Sequence, residues 1–434
     1  MVFASTRNKE LKMSFQKALF QGLSPDGGLF YPCKMPDMTD IIKSFSENEN
    51  FKNVASSVIY HLLNEDMSET DSKILAERAF PFSPKLKKIN DKLHVLELYH
   101  GPSSAFKDFG ASFLATSMEY FLQSNDKKAV ILTATSGDTG SAVARAFYEK
   151  KNIDVVILYP KGRISPLQEK QMTTLGKNIH ALEVEGSFDD CQKMVKDAFT
   201  DPELKNINLS SANSINLGRL IPQSLYYFWA VNQLKKIPEE QQVFCVPSGN
   251  FGNLTAGLYA KYWGLSIRKF IASTNQNDVI PEFLKTSVYT PRPSIQTYSN
   301  AMDVGSPSNF ERMQTLYQND VESMRKDVRG ICIDDDSTLE TIRKYNNEFN
   351  YEICPHTAVG LKAAEIYAQK HPFDHITVLS TAHPGKFLEV FNKAVGHDPE
   401  LPLSLLELKD KTKVSEVIGN TLTDLKTILN KMYR

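Results

Sequence analysis

Ala129-Val130-Ile131-Leu132-Thr133-Ala134-Thr135-Ser136-Gly137-Asp138-Thr139-Gly140-Ser141 runs from an unbroken apolar stretch of strand length into a polar turn carrying two glycines. A helical pattern from Ser141 to Glu149 follows. A short run with no polar face is a strand covered on both sides, which is what a parallel sheet needs under its crossover helices. The same texture returns at Val155–Tyr159 and His180–Val184, with helical patterns at Gln168–Leu175 and Asp189–Phe199. It recurs at Val95–Tyr99, Gln242–Val246, Arg268–Ala272 and His375–Leu379. These repeats predict an α/β fold of open, mostly parallel sheets with helices on both faces.

Upstream the texture differs. Residues 14–20 start a short amphipathic helix, Ser24-Pro25-Asp26-Gly27-Gly28 is a turn, and apolar residues at helical spacing run from Asp40 to Leu63 and from Asp71 to Ala79. Pro81 and Pro84 end that pattern. The expected organisation is a mainly helical N-terminal appendage over 1–90, an α/β domain over 91–220 carrying Lys107 and the 133–141 loop, and a larger α/β domain over 221–434.

The 434 residues carry 50 basic and 51 acidic side chains, a net charge of -1 that gives no electrostatic footprint for nucleic acid or an anionic membrane. Lys127-Lys128, Lys150-Lys151 and Lys235-Lys236 read as solvated element ends. Five scattered cysteines form no CxxC pair, so neither a disulfide framework nor a structural metal site is expected. Charges interrupt the first ten residues before a signal-peptide core could form, and no apolar stretch is long enough to span a bilayer. A cytoplasmic protein is expected, with no metal, acting on a small molecule, as a monomer or a homodimer.

Four segments carry chemistry. His100-Gly101-Pro102-Ser103-Ser104-Ala105-Phe106-Lys107-Asp108-Phe109-Gly110 places a lysine among small and aromatic residues just after a strand; a lone loop lysine is ordinarily a surface residue. The 133–141 turn offers N–H groups and hydroxyls at a helix start, an anion pocket or an ordinary capped turn. Its Asp-Thr-Gly-Ser has the letters of an aspartic protease, but no second such tripeptide exists to make the carboxylate pair. Pro247-Ser248-Gly249-Asn250-Phe251-Gly252-Asn253 is a second anion-ready turn, lacking the Gly-Lys-Ser/Thr of a P-loop and the GxGxxG of a dinucleotide site. Ser380-Thr381-Ala382-His383-Pro384-Gly385-Lys386-Phe387 puts Thr381 at a strand's C-terminal end, where open sheets bind ligands. There His383 reads as a loop histidine rather than a general base.

In this order the segments resemble the threonine synthase family, pyridoxal-phosphate enzymes of fold type II with a tryptophan synthase β-like fold. The likeness runs from Gly27-Gly28-Leu29-Phe30-Tyr31-Pro32 to His383-Pro384-Gly385-Lys386-Phe387, nearly the whole chain. It implies that Lys107 is the catalytic lysine holding pyridoxal 5'-phosphate as a Schiff base. It implies that Gly249, Asn250, Phe251, Gly252 and Asn253 bind the cofactor phosphate and that Thr381 faces the pyridine nitrogen, where a hydroxyl moderates the electron sink.

It implies further that Ser136, Gly137, Asp138, Thr139 and Gly140 hold the substrate carboxylate near the cofactor's phenolic oxygen. Many fold type II enzymes carry Asn where Asp138 stands. An ionised Asp would repel a phenolate, so direct contact requires Asp138 to be protonated or turned away. Asn213, Ser214, Asn216 and Arg219 match the family's substrate-facing segment, with Arg219 placed to grip a phosphate. Lys161, Ser165 and Gln168 are weaker candidates. The implied activity is a lyase reaction of amino-acid biosynthesis that converts O-phospho-L-homoserine to L-threonine and phosphate. Two alternatives share the motifs: a phospho-lyase releasing 2-oxobutyrate, and a pyridoxal-phosphate-binding protein without catalysis.

Overall fold

The computed structural model describes residues 1–123 and 128–433; Lys127 of the expected basic cluster lies outside the described residues. Each apolar run becomes a strand close to its expected bounds: Leu93–Glu97, Ala129–Ala134, Ile153–Pro160, Ile179–Val184, Gln242–Pro247, Lys269–Thr274 and His375–Ser380. They sort into two sheets. In chain numbering, the first orders its strands as Val328–Cys332, Lys269–Thr274, Gln242–Pro247, His375–Ser380, Leu93–Glu97 and Lys85–Lys88. All neighbours are parallel except the Lys85–Lys88 edge, which runs antiparallel to Leu93–Glu97. The second orders Glu416–Ile418, Ile179–Val184, Ile153–Pro160, Ala129–Ala134 and Leu209–Ser210, parallel throughout. The α/β class stands as read from the sequence.

Sheet membership cuts across the boundaries expected at 90 and 220. Leu93–Glu97 pairs with His375–Ser380 inside the six-stranded sheet, not with the 129–184 strands. Glu416–Ile418 crosses back to pair with Ile179–Val184, and helix Leu422–Tyr433 follows it, with Leu425, Ile428 and Leu429 in the core under the second sheet. The reason is parallel pairing itself: strand partners are remote in sequence, so chain order does not reveal them.

The first ninety residues are not helical alone. Val2–Ser5, Lys12–Ser14 and Phe30–Pro32 form a three-stranded antiparallel sheet. The pattern from 40 to 63 divides into helices Thr39–Ser44 and Phe51–Leu63. Phe45 is extended, and the Asn50 side chain accepts the N–H of Asn53 at 2.9 Å, capping a new start. Phe51 and Phe80 then stack edge-on, and Phe51 likewise meets Phe109 of helix Lys107–Leu122, fastening the appendage to the central core.

Helix Lys107–Leu122 is buried on nearly every side, which suits its low amphipathicity. Among the described residues no helix is long and apolar enough to cross a membrane, and no cluster of side chains could hold a metal ion. The five cysteines are free.

Candidate active site

Three adjacent parallel strands deliver the main candidates to one edge. Glu97 lies opposite Ser380 and Val378 opposite Cys245, so Leu93–Glu97, His375–Ser380 and Gln242–Pro247 end side by side. The loop to Lys107 leaves the first, Thr381 follows the second, and the 249–253 turn follows the third. This is the carboxyl edge where open α/β sheets accept ligands. The loops are sewn together: Phe106 donates its N–H to Thr381 at 2.8 Å, His383 to Ser104 at 3.0 Å, and Ala105 bridges Ala382.

The 249–253 turn has the form of an anion cradle. Phe251 adopts a left-handed backbone, φ 59°, and caps helix Gly252–Tyr262. Such a conformation in a bulky residue is a strained state held by its surroundings. Among the described residues none accepts a hydrogen bond from the backbone N–H of Gly249, Asn250, Phe251, Gly252 or Asn253. Side chains lock the turn from outside: Ser248 bonds Asn253, Asn253 donates to the Pro247 carbonyl at 2.9 Å, and Asn250 joins Ser214 at 2.6 Å. A Cβ on Gly249 would stand 2.7 Å from Met302 Cα, so only glycine fits.

The second turn comes from the other sheet. Thr135 Oγ1 accepts the N–H groups of Gly137 and Gly140 at 2.9 and 2.8 Å, folding the loop and leaving those of Ser136, Asp138 and Thr139 without a protein acceptor among the described residues. Gly137, at φ 136°, presses on Gln168, where a side chain could not follow. Asp138 is 6% exposed; its Oδ1 takes the Lys386 ammonium at 2.7 Å and the Gln168 amide at 3.0 Å, and its Oδ2 lies 3.7 Å from Lys107 Nζ. Burial by itself would raise this carboxyl, but Lys386 and Lys107 outweigh it and hold it well below the usual carboxylate range. Asp138 thus faces Lys107 with its carboxylate charge compensated by the Lys386 and Lys107 ammonium groups.

Lys107 is the first residue of its helix, with its side chain 19% exposed. Burial lowers its ammonium below the ordinary lysine range, opposed by Asp138 and assisted by Lys386 and Arg219. Thr381 is 6% exposed, and among the described residues none bonds its hydroxyl.

The segment expected to face the substrate is divided in its contacts. Asn213 accepts the Thr133 hydroxyl, and Ser214 meets Asn250, so both adjoin the two turns. Arg219 is 3% exposed; one N–H binds the Ala212 carbonyl, Nε finds no acceptor among the described residues, and burial pulls the guanidinium down to about 10. Asn216 points inward instead. Its fully buried amide donates to Leu19 and Ser211 at 2.9 and 2.8 Å and accepts from Gly218 at 2.8 Å, so both donors and one acceptor site serve the backbone.

Of the weaker candidates, only Gln168 reaches the site. Lys161 pairs with Glu185 at 2.9 Å on the surface, and Ser165 caps helix Pro166–Thr173. His383 stacks edge-on against Tyr99 and lines a separate polar cavity of about 580 Å³ with Glu97 and Tyr351. Burial pushes its imidazole down to about 4. Cys245 is a buried packing residue whose thiol burial pushes up to about 12. Lys386, paired with Asp138, and His356, whose imidazole feels the Asp138 charge, are not singled out as site residues by the sequence; the signal available is only a lysine five residues after Thr381.

A glycine cradle with five N–H groups open among the described residues, a half-buried lysine of lowered basicity and a hydroxyl unpartnered among them, on neighbouring strand ends, fit the phosphate, aldehyde and ring nitrogen of pyridoxal phosphate. Fold and site define a pyridoxal-phosphate-dependent enzyme of fold type II. The family described as "Pyridoxal-phosphate dependent enzyme" matches residues 77–381, "Threonine synthase N terminus" residues 2–80, and "Threonine synthase, C-terminal" residues 357–429. Threonine synthase of Serratia marcescens is 41% identical over 419 residues, 96% of each chain. The crystal structure of threonine synthase from Escherichia coli superposes with TM-score 0.91 at 39% identity, and that of PLP-bound threonine synthase from Brucella melitensis with TM-score 0.94 at 34%, both covering 100% of each chain. The chain belongs to the threonine synthase family and is a pyridoxal-phosphate-dependent lyase.

Proposed function

We propose that the chain removes phosphate from O-phospho-L-homoserine and adds water at Cβ to give L-threonine, in the cytoplasm, using the cleft between the two sheets. The observation that carries the reading is the meeting of Lys107, Thr381 and the 249–253 turn on three adjacent strand ends.

Pyridoxal phosphate, when bound, supplies the electron sink for proton loss next to the amino group. Gly249, Asn250, Phe251, Gly252 and Asn253 would hold its phosphate through their open N–H groups and the positive end of helix Gly252–Tyr262. Lys107 would hold its aldehyde carbon, and Thr381 would stand at its ring nitrogen. Because burial weakens the Lys107 ammonium, its amine is suited to take a proton from the substrate's Cα. The N–H groups of Ser136, Asp138 and Thr139 at a helix start would receive the substrate carboxylate. Arg219, a buried cation with an open N–H, would meet the leaving phosphate beside Asn213 and Ser214.

The test is direct. Purified protein with pyridoxal phosphate and O-phospho-L-homoserine should release phosphate and threonine in equal amounts. Phosphate accompanied by 2-oxobutyrate instead would establish the phospho-lyase, and no phosphate release would leave a binding protein.

A further inference from the structure

The Lys386 side chain is completely enclosed, and its ammonium touches Asp138 Oδ1 at 2.7 Å and the Ser103 carbonyl at 2.8 Å. An isolated buried cation is strongly unfavourable, so this ammonium needs its carboxylate. The turn Pro384–Lys386 brings it there from the six-stranded sheet, while Asp138 begins helix Asp138–Phe147 on the other sheet. Gln168 shares Oδ1, and Oδ2 is turned to Lys107. Among the described residues the other charged or titratable groups facing these three are Arg219 near Lys107, Asp108 near Lys386 and Arg219, His356 near all three, and His383 near Lys386.

We infer that Lys386 is a positioning residue: it holds the Asp138 carboxylate ionised with Oδ2 toward Lys107, so the pair sets how readily the Lys107 nitrogen keeps a proton. This rests on the assignment of Lys107 as the cofactor-bearing amine. The signs follow from charge. Lys386 repels a proton on Lys107, and Asp138 attracts one. An opposite charge as near as Asp138 stands to Lys107, 3.7 Å, moves a titration by about one to three units, and Lys386 acts with the opposite sign.

The experiment follows the visible absorption of the cofactor-loaded protein against pH. In Lys386→Met the midpoint should rise by about one unit or more, and in Asp138→Asn it should fall by a similar amount. The double variant, which removes one charge of each sign, should return toward the parent, and Lys386→Arg should stay near it. A merely structural lysine would lower thermal stability and leave the midpoint in place, and that result in Lys386→Met would overturn the inference. Should Lys386→Met bind no cofactor, a double variant displaced as far as Asp138→Asn alone would overturn it equally. A parent protein that develops no visible band would overturn the reading of Lys107 itself, and the inference with it.

Discussion

Thr381 accepts the backbone N–H of Phe106 at 2.8 Å, which fixes Lys107, the next residue, against the end of the neighbouring strand. Phe106 and Thr381, 275 positions apart in the chain, are thus joined backbone to backbone, and no substitution that keeps the Phe106 N–H removes the bond. The position of the lysine is a property of the sheet rather than of its loop.

The cradle is the most sensitive place to add volume. Gly249→Ala would drive a methyl group to 2.7 Å from Met302 Cα and 3.1 Å from the Ala301 carbonyl, both backbone atoms. Overpacking of this kind costs about 1–3 kcal/mol, so cofactor affinity should weaken roughly 5- to 150-fold. Equilibrium titration of the apoprotein with pyridoxal phosphate measures it; an unchanged dissociation constant would show that the turn does not grip the phosphate.

Arg219→Ala should weaken binding of O-phospho-L-homoserine about 10- to 100-fold, the range of a lost charge-assisted hydrogen bond, while L-homoserine binding changes little. Competition binding with both ligands checks this. Equal losses for the two would place Arg219 in packing alone, where its contact with the Ala212 carbonyl and the close approach of Gly110 already employ it.

Asn216→Ala tests the opposite assignment. Three buried hydrogen bonds disappear, a loss of about 2–4 kcal/mol in folding stability. The KM for O-phospho-L-homoserine per folded molecule should stay within about twofold, because the amide faces Leu19, Ser211 and Gly218 and not the cleft. A large rise in KM with unchanged denaturation would reverse this.

The two turns and Thr381 are legible in the sequence because each follows directly on a strand that announces itself by an apolar run, whereas Lys107, ten residues beyond Glu97, is singled out by the family resemblance. What depends on lateral neighbours is not legible. Val328–Cys332 contains Arg329 and Gly330 on a partly exposed edge, and Lys85–Lys88 has three lysines, as edges that must resist further pairing commonly do. Neither resembles a buried strand. Asn216 matches a substrate-facing segment yet turns inward, since that segment must also cap helix Leu217–Leu220. Lys386 reads as an ordinary loop lysine until the second sheet brings Asp138 over it.

The burial of His356 sets the sign of a pH dependence of stability. Burial lowers its imidazole from 6.5 to about 4, with Nε2 already accepting the Ala301 N–H at 3.1 Å. The unfolded chain therefore binds a proton there before the folded one does. Its contribution is complete above about 6.5 and is lost as pH falls toward 4, on the order of 3 kcal/mol in all. Asp108 and Asp303, which burial pushes up to about 6, act in the other direction over the same window. The comparison must be between parent and His356→Gln: urea unfolding from pH 7 to 4.5 should destabilise the parent more steeply. Parallel curves would mean that the imidazole titrates normally.

The central claim is tested most directly by reducing the cofactor-loaded protein with borohydride and locating the modified residue by peptide mass spectrometry. The structure offers two lysines beside Asp138, the enclosed Lys386 and the half-buried Lys107, and the expected outcome is a single pyridoxyl group on Lys107, absent from Lys107→Ala together with the visible band. A pyridoxyl group on Lys386, or scattered over surface lysines with turnover intact, would contradict the account.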